Sequence, residues 1–405
     1  MSSGLDLENQ YCAHNYHPLP VVLTRGEGVY LWDENDKKYL DMMSAYSAVS
    51  HGHSNPRVVE ALKQQAETLC IVSRAFYTDK LGAFLKLACD VTGQDMALPM
   101  NTGAEAVETA VKAARRWGYE SKGIETDKAE ILVCTGNFHG RTTTIISFSD
   151  EAEYQKNFGP LTPGFKVIDY GDADALEAAI TPNTAAFLVE PIQGEGGIII
   201  PPKGYLKRCK EICEANNVLL IADEIQCGLG RSGRMLACDH EDVKPDGLIL
   251  GKALGGGVMP VSMFLARQDV MDIFVPGTHG STFGGNPLAA AVGTAALNIL
   301  VEDQLADRSR DMGDYMLAEL NKIDSGLIQD IRGAGLFIGV EIDPAKGTAR
   351  EVCERLMDRG LLSKETHETV VRLAPPLIIT REQIDWAITQ IREVLQEMDE
   401  VRLAS

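Results

Sequence analysis

The sequence has a marked shortage of positive charge. Its 405 residues include 38 lysines and arginines against 58 aspartates and glutamates, which gives a formal net charge of -20. No run of Lys or Arg interrupts this acidic background, so the phosphate backbone of a nucleic acid would be repelled. We therefore predict no nucleic-acid partner and interpret the acidity as a feature that favours solubility.

Long apolar runs and paired cysteines are also missing. No stretch approaches the roughly 18 apolar residues of a membrane span, and residues 1–10 contain neither the basic nor the apolar segment of a secretory leader. The nine cysteines form no CxxC pair and stand mostly in apolar sequence, which is typical of reduced thiols. These absences predict a cytoplasmic protein without membrane association, and no metal site is predicted.

Internal repeats and low-complexity tracts are absent too, which argues against a solenoid or a coiled coil. Instead, helical patterns alternate with short apolar runs from about residue 55 onward. The apolar runs are Glu130–Cys134, Phe165–Ile168, Ala185–Val189, Val218–Ala222, Gly247–Leu250 and Val261–Leu265. The helical patterns are Pro56–Cys70, Asn101–Trp117, Ala173–Ile180 and Tyr205–Asn216. Buried, non-alternating strands between helices predict an α/β fold with a mainly parallel sheet.

The two ends of the chain have a different pattern. Residues 29–40 are typical of a β-hairpin, and helices mix with a strand after residue 300. We predict a large domain over residues 51–299. The N-terminal segment 1–50 and the C-terminal residues 300–405 are predicted to form a smaller α+β domain.

An amine and an acid that each follow an apolar run give the strongest chemical signal. Asp223 directly follows Val218–Ala222, and Lys252 comes 29 positions later, after the run that ends at Gly251. Pyridoxal phosphate (PLP) needs a lysine to bond its aldehyde and a carboxylate to keep its ring nitrogen protonated. Taken singly, the lysine is more typical of a solvated loop and the aspartate of a helix cap. Together they predict a PLP site.

Other residues at strand ends extend this prediction, because ligands of an open parallel sheet bind where its strands end. Thr102, Gly103 and Ala104 open a helix whose free N–H groups suit a phosphate, although Thr-Gly is also an ordinary N-cap. Phe138 follows another strand and suits stacking on a pyridine ring, unless it is a core residue. Gln226 is a candidate donor to the phenolic oxygen of the ring.

These segments together resemble the class III aminotransferases, which are PLP-dependent enzymes of fold type I. The resemblance covers nearly the whole chain and rests on Thr102–Ala106, Phe138–Thr142, Glu190–Gly196, Asp223–Gly228, Lys252–Gly256 and His279–Pro287. It implies a large domain with a mainly parallel seven-stranded sheet sandwiched by helices, and a smaller α+β domain built from both termini.

The same resemblance implies roles for individual residues around the cofactor. Lys252 would bond to the PLP aldehyde, Asp223 would pair with the ring nitrogen and Phe138 would stack on the ring. Gly103 and Ala104 would hold the phosphate, with Thr102 and His139 beside the cofactor. Ser281 and Thr282 would reach the phosphate in the other subunit, which implies a homodimer with shared active sites.

Four further segments look like the branch of this family that acts on ornithine: Asn15–Pro18, Ser44–Val49, Ser73–Tyr77 and Val371–Pro376. His139 departs from that branch, where many enzymes carry Trp. The implied reaction moves the δ-amino group of L-ornithine to 2-oxoglutarate. Its products are glutamate and glutamate-5-semialdehyde, which cyclises to pyrroline-5-carboxylate.

The resemblance also implies how one site accepts two differently charged substrates. Arg141 would hold the α-carboxylate of ornithine, assisted by Tyr16, with Tyr46 also in the substrate site. Arg372 would bind the α-carboxylate of 2-oxoglutarate bidentately. Glu195 would mask Arg372 while ornithine is bound. Each of these side chains has a structural alternative, such as a domain-interface ion pair, a loop acid or a half-buried tyrosine.

Three rival interpretations stay open. The nearest is another ω-aminotransferase of the same family, acting on acetylornithine, 4-aminobutyrate or a diamine. The aminomutase and decarboxylase branches would use the same lysine without a keto-acid acceptor. A non-catalytic protein or a nucleotide binder using Gly255–Gly257 is the third. The intact Lys252/Asp223 pair and an expected lack of a GxGxxG or Walker pattern stand against it.

Overall fold

The computed structural model describes residues 4–404 and contains three sheets. The strands β1 to β15 are, in chain order, Leu23–Glu27, Tyr30–Asp33, Lys38–Asp41, Met96–Met100, Glu130–Cys134, Phe165–Ile168, Thr184–Val189, Leu219–Asp223, Gly247–Leu250, Ser262–Ala266, Ile328–Ala334, Phe337–Ile342, Leu361–Leu362, Lys364–Thr366 and Val370–Leu373.

The α-helices cover Gly4–Tyr11, Pro56–Ala66, Leu81–Thr92, Gly103–Glu120, Thr143–Ile146, Ala152–Gln155, Ala173–Ala179, Tyr205–Ala215, Gln268–Met271, Pro287–Glu302, Leu305–Leu320, Ala349–Asp358 and Arg381–Ala404. Short 3-10 turns lie at Ala237–Glu241 and Lys252–Gly255.

The central sheet has seven strands in the order β4-β10-β9-β8-β7-β5-β6. Strands β5 to β9 are parallel, whereas β10 is antiparallel to both β4 and β9. Side chains alternate between two apolar cores: in β8, Leu220 and Ala222 belong to one, and Leu219 and Ile221 to the other. Burial on both faces explains why the strand sequences are continuous apolar runs. The predicted seven-stranded, mainly parallel sheet is confirmed.

Two four-stranded sheets form the smaller unit. One has the order β1-β2-β3-β13, so the predicted N-terminal hairpin pairs with a C-terminal strand through Leu40 and Leu361. The other, β11-β12-β15-β14, is antiparallel and lies entirely in the C-terminal part. Both ends of the chain therefore contribute to one α+β region, as predicted. The limits proposed at residues 50 and 300 stay a prediction.

Strand β4 is absent from the sequence prediction. It lies at the edge of the sheet, pairs only with the antiparallel β10, and contains Pro99 and no β-branched residue. Its sequence therefore lacks the signal of a buried parallel strand. The helix predicted over Pro56–Cys70 also differs, since it ends at Ala66.

Residues Ser44–Ser47 form a turn of unusual handedness. Their φ angles are 43°, 47°, 58° and 75°, so four consecutive non-glycine residues are left-handed. Each such residue costs about 1–2 kcal/mol in the absence of compensating contacts. Asp41 supplies some of these contacts, since its Oδ1 accepts the N–H groups of Met43 at 2.8 Å and Ser44 at 2.9 Å.

Within residues 4–404, no single helix is long and apolar enough to cross a membrane. The helices Pro287–Glu302 and Leu305–Leu320 reach the required length and apolarity only as a pair, and they are bent by 58° relative to each other.

Candidate active site

A cavity of about 200 Å³ opens where the parallel strands of the central sheet end. It is lined by Gly103, Ala104, Phe138, His139, Gly140, Glu190, Glu195, Asp223, Ile225, Gln226 and Lys252. The lining includes eight of the residues singled out in the sequence. They converge because the carboxyl ends of β5, β7, β8 and β9 lie at one edge.

Lys252 begins the 3-10 turn that directly follows β9 and Gly251. Its φ angle is 44°, a left-handed conformation that is unfavourable for a lysine and is typical of functional sites. Burial lowers the pKa of its amine, although Glu195 and Asp223 act in the opposite direction. A lowered pKa increases the fraction of neutral amine, which is the form that attacks a carbonyl and accepts a proton.

Asp223 ends β8 and is fixed on both of its oxygens. Its Oδ1 accepts the N–H of Ile225 at 3.0 Å, and its Oδ2 lies 2.7 Å from Nδ1 of His139. Although burial acts in the opposite direction, the bond to Asp223 raises the pKa of His139. A buried aspartate held in this way suits pairing with a cationic ring nitrogen.

The helix Gly103–Glu120 begins with a capping box. The Thr102 hydroxyl accepts the N–H of Glu105, and the Glu105 carboxylate accepts the N–H of Thr102 at 2.8 Å. The N–H groups of Gly103 and Ala104 are left without partners in the helix, and both residues line the cavity. This end of the cavity is therefore suited to an anion.

Gln226 lines the cavity, and its hydrogen bond to the phenolic oxygen of the ring stays a prediction. Its Nε2 donates to Oε1 of Glu195 at 3.1 Å, while its buried Oε1 has no partner within residues 4–404. A Cβ on Gly194 would lie 1.5 Å from that Oε1, so only glycine leaves room for the amide. Gln226 thereby links the cavity to Glu195.

Glu195 and Arg372 form the ion pair predicted for them. Arg372 Nη1 and Nη2 donate to the two carboxylate oxygens at 2.7 and 3.1 Å, and Arg372 is almost fully buried. Against the effect of burial, Arg372 lowers the pKa of Glu195 to about 2. The guanidinium carbon lies 4.9 Å from the ring centre of Tyr46, which the left-handed turn presents. Glu195 therefore stays ionised at any physiological pH.

Arg141 lies on the outer side of Phe138. Its guanidinium carbon is 5.4 Å from the Phe138 ring and 3.6 Å from the ring of Tyr154, a residue with no predicted role. Arg141 is exposed and available to a carboxylate, in contrast to the masked Arg372. Tyr16 is 76% exposed, whereas Tyr46 is half-buried and has its pKa raised mainly by burial.

Three predicted cofactor residues do not line the cavity. Thr102 uses its hydroxyl in the capping box. Ser281 Oγ accepts an N–H from Asn101 Nδ2 at 2.9 Å, and Thr282 is exposed. Their roles at a phosphate, in this subunit or in another, stay predictions.

Glu190 and Ile225 also line the cavity, although no specific role is predicted for either residue. Glu190 follows β7 directly and accepts the N–H of Phe138 at 2.9 Å, so the same strand-end rule identifies it. Burial raises its pKa to about 7. Ile225 lies between Asp223 and Gln226 and contacts the positions of Gly103 and Gly251. It supplies an apolar wall.

The expected lack of a GxGxxG pattern is wrong, because Gly228–Gly233 has this spacing, which is that of a dinucleotide-binding loop. The structure assigns it a packing role. No helix opens at its end, and the side chain of Arg231 within it is fully buried. A Cβ on Gly228 would lie 2.7 Å from the Glu224 carbonyl, so the glycine allows a close backbone approach. The fingerprint requires a strand–turn–helix unit, which is absent here.

The donor set fits PLP. One cavity is lined by an amine, a carboxylate, an aromatic ring and unpaired helix N–H groups. In the same order, these groups suit the aldehyde, the ring nitrogen, the ring face and the phosphate of that cofactor. The orphaned, buried Oε1 of Gln226 and Nε2 of His139 mark polar surface that the protein itself leaves unsatisfied. No group of three or more His, Cys, Asp or Glu side chains within residues 4–404 is arranged to hold a metal ion.

Comparison with known proteins agrees with this chemistry. A family model described as aminotransferase class-III matches residues 11–395. The chain therefore belongs to the class-III aminotransferases, a family of PLP-dependent enzymes. An ornithine aminotransferase from Geobacillus sp. strain WCH70 is 58% identical over 388 residues, covering 96% of this chain and 97% of the relative.

Two solved structures show how closely the fold is shared. Ornithine aminotransferase from Toxoplasma gondii, with PLP in partial occupancy at its active site, has a TM-score of 0.97 and 47% identity, covering 98% of this chain and 94% of that one. Acetylornithine aminotransferase from Elizabethkingia anophelis has a TM-score of 0.88 and 48% identity, covering 97% and 98%.

Proposed function

We propose that this enzyme transfers the δ-amino group of L-ornithine to 2-oxoglutarate. The products are glutamate and glutamate-5-semialdehyde, which cyclises to pyrroline-5-carboxylate. The observation that carries the proposal is the bidentate ion pair of Glu195 and Arg372 beside the cavity of Lys252 and Asp223. The name and 58% identity of the Geobacillus relative support the choice of ornithine.

The proposed cofactor is PLP. When bound, it supplies an electron sink for the bond that is broken at the amino carbon. Lys252 would hold its aldehyde, and Asp223, oriented by His139, would keep its ring nitrogen protonated. Phe138 and Ile225 supply apolar surface for the ring, and the N–H groups of Gly103 and Ala104 hold the phosphate.

Lys252 is the proposed acid–base residue. Its Nζ would hold the cofactor aldehyde and would afterwards serve as the free amine that moves the proton of the substrate. Burial lowers the pKa of Lys252, which favours the neutral amine that would accept the proton from Cδ of ornithine.

The two arginines divide the two half-reactions. Ornithine carries its carboxylate at the end remote from the reacting δ-carbon, so exposed Arg141 holds it, with Tyr16 nearby. Glu195 keeps Arg372 neutralised during this step, since a free Arg372 would attract the carboxylate and present the α-amine instead. For 2-oxoglutarate, Arg372 exchanges Glu195 for the substrate's α-carboxylate, and Arg141 holds the γ-carboxylate.

We also propose that the enzyme is a homodimer with shared active sites. Phe76 and Tyr77 are strongly exposed, and the loop that carries Phe283 and Gly285 lies beside them, since Gly285 is next to Arg74. An exposed aromatic patch of this kind is typical of an interface. Ser281 and Thr282 belong to the same loop, which supports their proposed reach to the cofactor of the partner.

The chief rival is an acetylornithine aminotransferase, because such an enzyme is 48% identical to this chain. Ornithine and N-acetylornithine differ at the α-nitrogen, which is a cation in the first and a neutral amide in the second. We propose that Tyr46, whose ring centre is 4.9 Å from the guanidinium carbon of Arg372, and Tyr16 contact this group. Phenolic oxygens accept a hydrogen bond from an ammonium, which favours ornithine.

A substrate screen tests the proposal. Purified enzyme is supplied with 2-oxoglutarate and with ornithine, N-acetylornithine, 4-aminobutyrate or putrescine, and glutamate is measured. Pyrroline-5-carboxylate is trapped with o-aminobenzaldehyde. We expect ornithine to exceed the other amines at least about tenfold in kcat/KM, which corresponds to roughly 1.4 kcal/mol of transition-state selectivity. A higher value for N-acetylornithine would replace ornithine as the substrate, and Lys252→Ala is the inactive control.

A further inference from the structure

Arg231 is fully buried at the seam between the large domain and the smaller α+β region. Its Nη1 donates to the carbonyls of Leu336 at 2.8 Å and Pro375 at 2.6 Å. Its Nη2 donates to the hydroxyls of Ser44 and Ser50, each at 3.1 Å. Burial lowers its pKa to about 9, so the side chain stays cationic at neutral pH. It forms no ion pair within residues 4–404, and four neutral oxygens stabilise its charge.

Two of these contacts hold the left-handed turn Ser44–Ser47. Ser44 Oγ accepts from Arg231 and donates to the carbonyl of Ala374, and Ser50 Oγ donates to the carbonyl of Ser47 at 2.9 Å. The turn is therefore tied at both ends to groups that Arg231 orients. Tyr46, the residue that faces Arg372, lies between these two ties.

The contact with Pro375 holds the segment that follows β15, whereas Leu336 directly precedes β12. Pro375 lies three residues after Arg372 in the chain, and Ala374 N donates to the Met42 carbonyl at 2.6 Å. The Tyr46 turn and the chain after Arg372 therefore meet at Arg231. A shift of the Arg231 side chain therefore changes the position of the Tyr46 turn relative to the chain after Arg372.

We propose that Arg231 is a positioning residue that sets substrate selectivity by locking the turn carrying Tyr46 to the segment carrying Arg372. This rests on the proposed function, because Tyr46 and Arg372 are assigned there to the substrate. Arg231 itself lies outside the cavity lining and acts only through those two side chains. The planar guanidinium is required, since its fork points two nitrogens at two separate pairs of oxygens, whereas a lysine ammonium is a single point.

The chain offers a matched control in Arg308. This half-buried arginine also donates to backbone carbonyls of the same segment, those of Leu377, Ile378 and Ile379 at 2.8–3.1 Å. Its side-chain hydrogen bonds within residues 4–404 do not include the Ser44–Ser47 turn. Arg308→Lys therefore loosens the segment without loosening the turn.

The test compares the holoenzymes of Arg231→Lys and Arg308→Lys with wild type. The measurements are KM and kcat for ornithine and 2-oxoglutarate, the ratio of δ- to α-amino transfer, and cofactor absorbance. We expect Arg231→Lys to raise KM for 2-oxoglutarate or lower the δ/α ratio by about tenfold, and Arg308→Lys to change either by less than about threefold. Absorbance should be unchanged in both, because neither residue contacts the cofactor cavity. Equal selectivity in the two variants would overturn the proposal, even if both lose thermal stability.

Ser44→Gly keeps the proposal testable if Arg231→Lys does not fold. Glycine accepts the φ of 43° at residue 44 and removes only the hydroxyl that links Arg231 to Ala374. A change of selectivity in the same direction supports the proposal, and wild-type selectivity overturns it. If wild type itself prefers another amine, the proposed function fails, and the same comparison with that amine still decides the role of Arg231.

Discussion

At the scale of single residues, the site depends on pairs whose members tune each other. Nδ1 of His139 lies 2.7 Å from Oδ2 of Asp223, and both side chains are buried. Glu195 and Arg372 form a bidentate ion pair. Burying one charge of such a pair alone would cost several kcal/mol, so each partner requires the other. Glu195 lines the cavity, whereas its partner Arg372 lies outside the lining. A carboxylate that enters the cavity can therefore compete with Glu195 for Arg372.

Glu195→Ala is expected to impair selectivity more than cofactor binding. The substitution leaves Arg372 unmasked, so the α-carboxylate of ornithine is attracted to it and the α-amine reacts. We predict that the δ/α product ratio falls about tenfold, or roughly 1.4 kcal/mol. The ratio is measured from trapped pyrroline-5-carboxylate against the total glutamate formed.

Glu341→Ala is the control for that substitution. Glu341 forms a partly buried ion pair with Arg332, and neither residue belongs to the cavity lining. The substitution Glu341→Ala should lower the stability of the protein without changing the δ/α product ratio. An unaltered ratio in Glu195→Ala would contradict the masking role.

Much of the cavity lining could be predicted from sequence because one rule applied. Lys252, Asp223 and Phe138 each follow an apolar run, and parallel strands bring their ends together. The rule fails for contacts that depend on the folded path of loops. The stacking of Arg141 on Tyr154 and the hydrogen bonds of Arg231 join segments whose sequences carry no mutual signal.

At the scale of elements, the turn Ser44–Ser47 has no sequence signature. Its residues are Ser, Ala, Tyr and Ser, none of which favours positive φ, and only the surrounding contacts hold it in place. Edge strand β4 was missed for a related reason, since an edge position tolerates Pro99 and needs no continuous apolar run. Strands buried on both faces, such as β7 and β8, were predictable from their apolar content.

His51 joins the segment after this turn to the helix Pro287–Glu302. Its Nε2 donates to the Ala296 carbonyl at 3.0 Å, and burial, with smaller effects of Arg57 and Arg231, lowers its pKa to about 4. The folded protein keeps His51 neutral down to about pH 4, whereas the unfolded chain protonates it below about 6.5. Stability is therefore lost as pH falls through this window, by about 2 kcal/mol at pH 5.

His51→Gln should remove this acid sensitivity, since an amide donates to the same carbonyl and does not titrate. We predict that the apparent melting temperature of the variant falls less than that of wild type between pH 7.5 and pH 5. Differential scanning fluorimetry at both pH values provides the measurement. An equal fall of the apparent melting temperature in the variant and in wild type would contradict the assignment of this acid sensitivity to His51.

At the scale of the whole molecule, both ends of the chain assemble the site together with the large domain. The N-terminal part supplies Tyr46, and the C-terminal part supplies Arg372. Arg231 of the large domain contacts the N-terminal part through Ser44 and the C-terminal part through Pro375. The cofactor cavity lies within the large domain, whereas the predicted substrate residues come from all three parts. Relative movement of the parts would therefore alter substrate recognition more than cofactor binding.

Tyr77→Glu is expected to disrupt the proposed dimer. Tyr77 is fully exposed in a single chain, and a carboxylate buried without a partner at an interface costs several kcal/mol. We predict an increase of at least about 100-fold in the dimer dissociation constant, measured by sedimentation, with a parallel loss of activity. Trp386→Glu, on the exposed face of the C-terminal helix, should stay dimeric. A fully active, dimeric Tyr77→Glu would place the interface elsewhere.

The most direct test of the account is the covalent attachment of PLP to Lys252. Purified enzyme is treated with borohydride, digested and mapped by mass spectrometry, with Lys252→Ala in parallel. We expect a yellow protein that loses its colour on reduction and carries the label on Lys252 alone, while the variant carries none. A colourless protein that takes up no PLP, or a label on a different lysine, would contradict it.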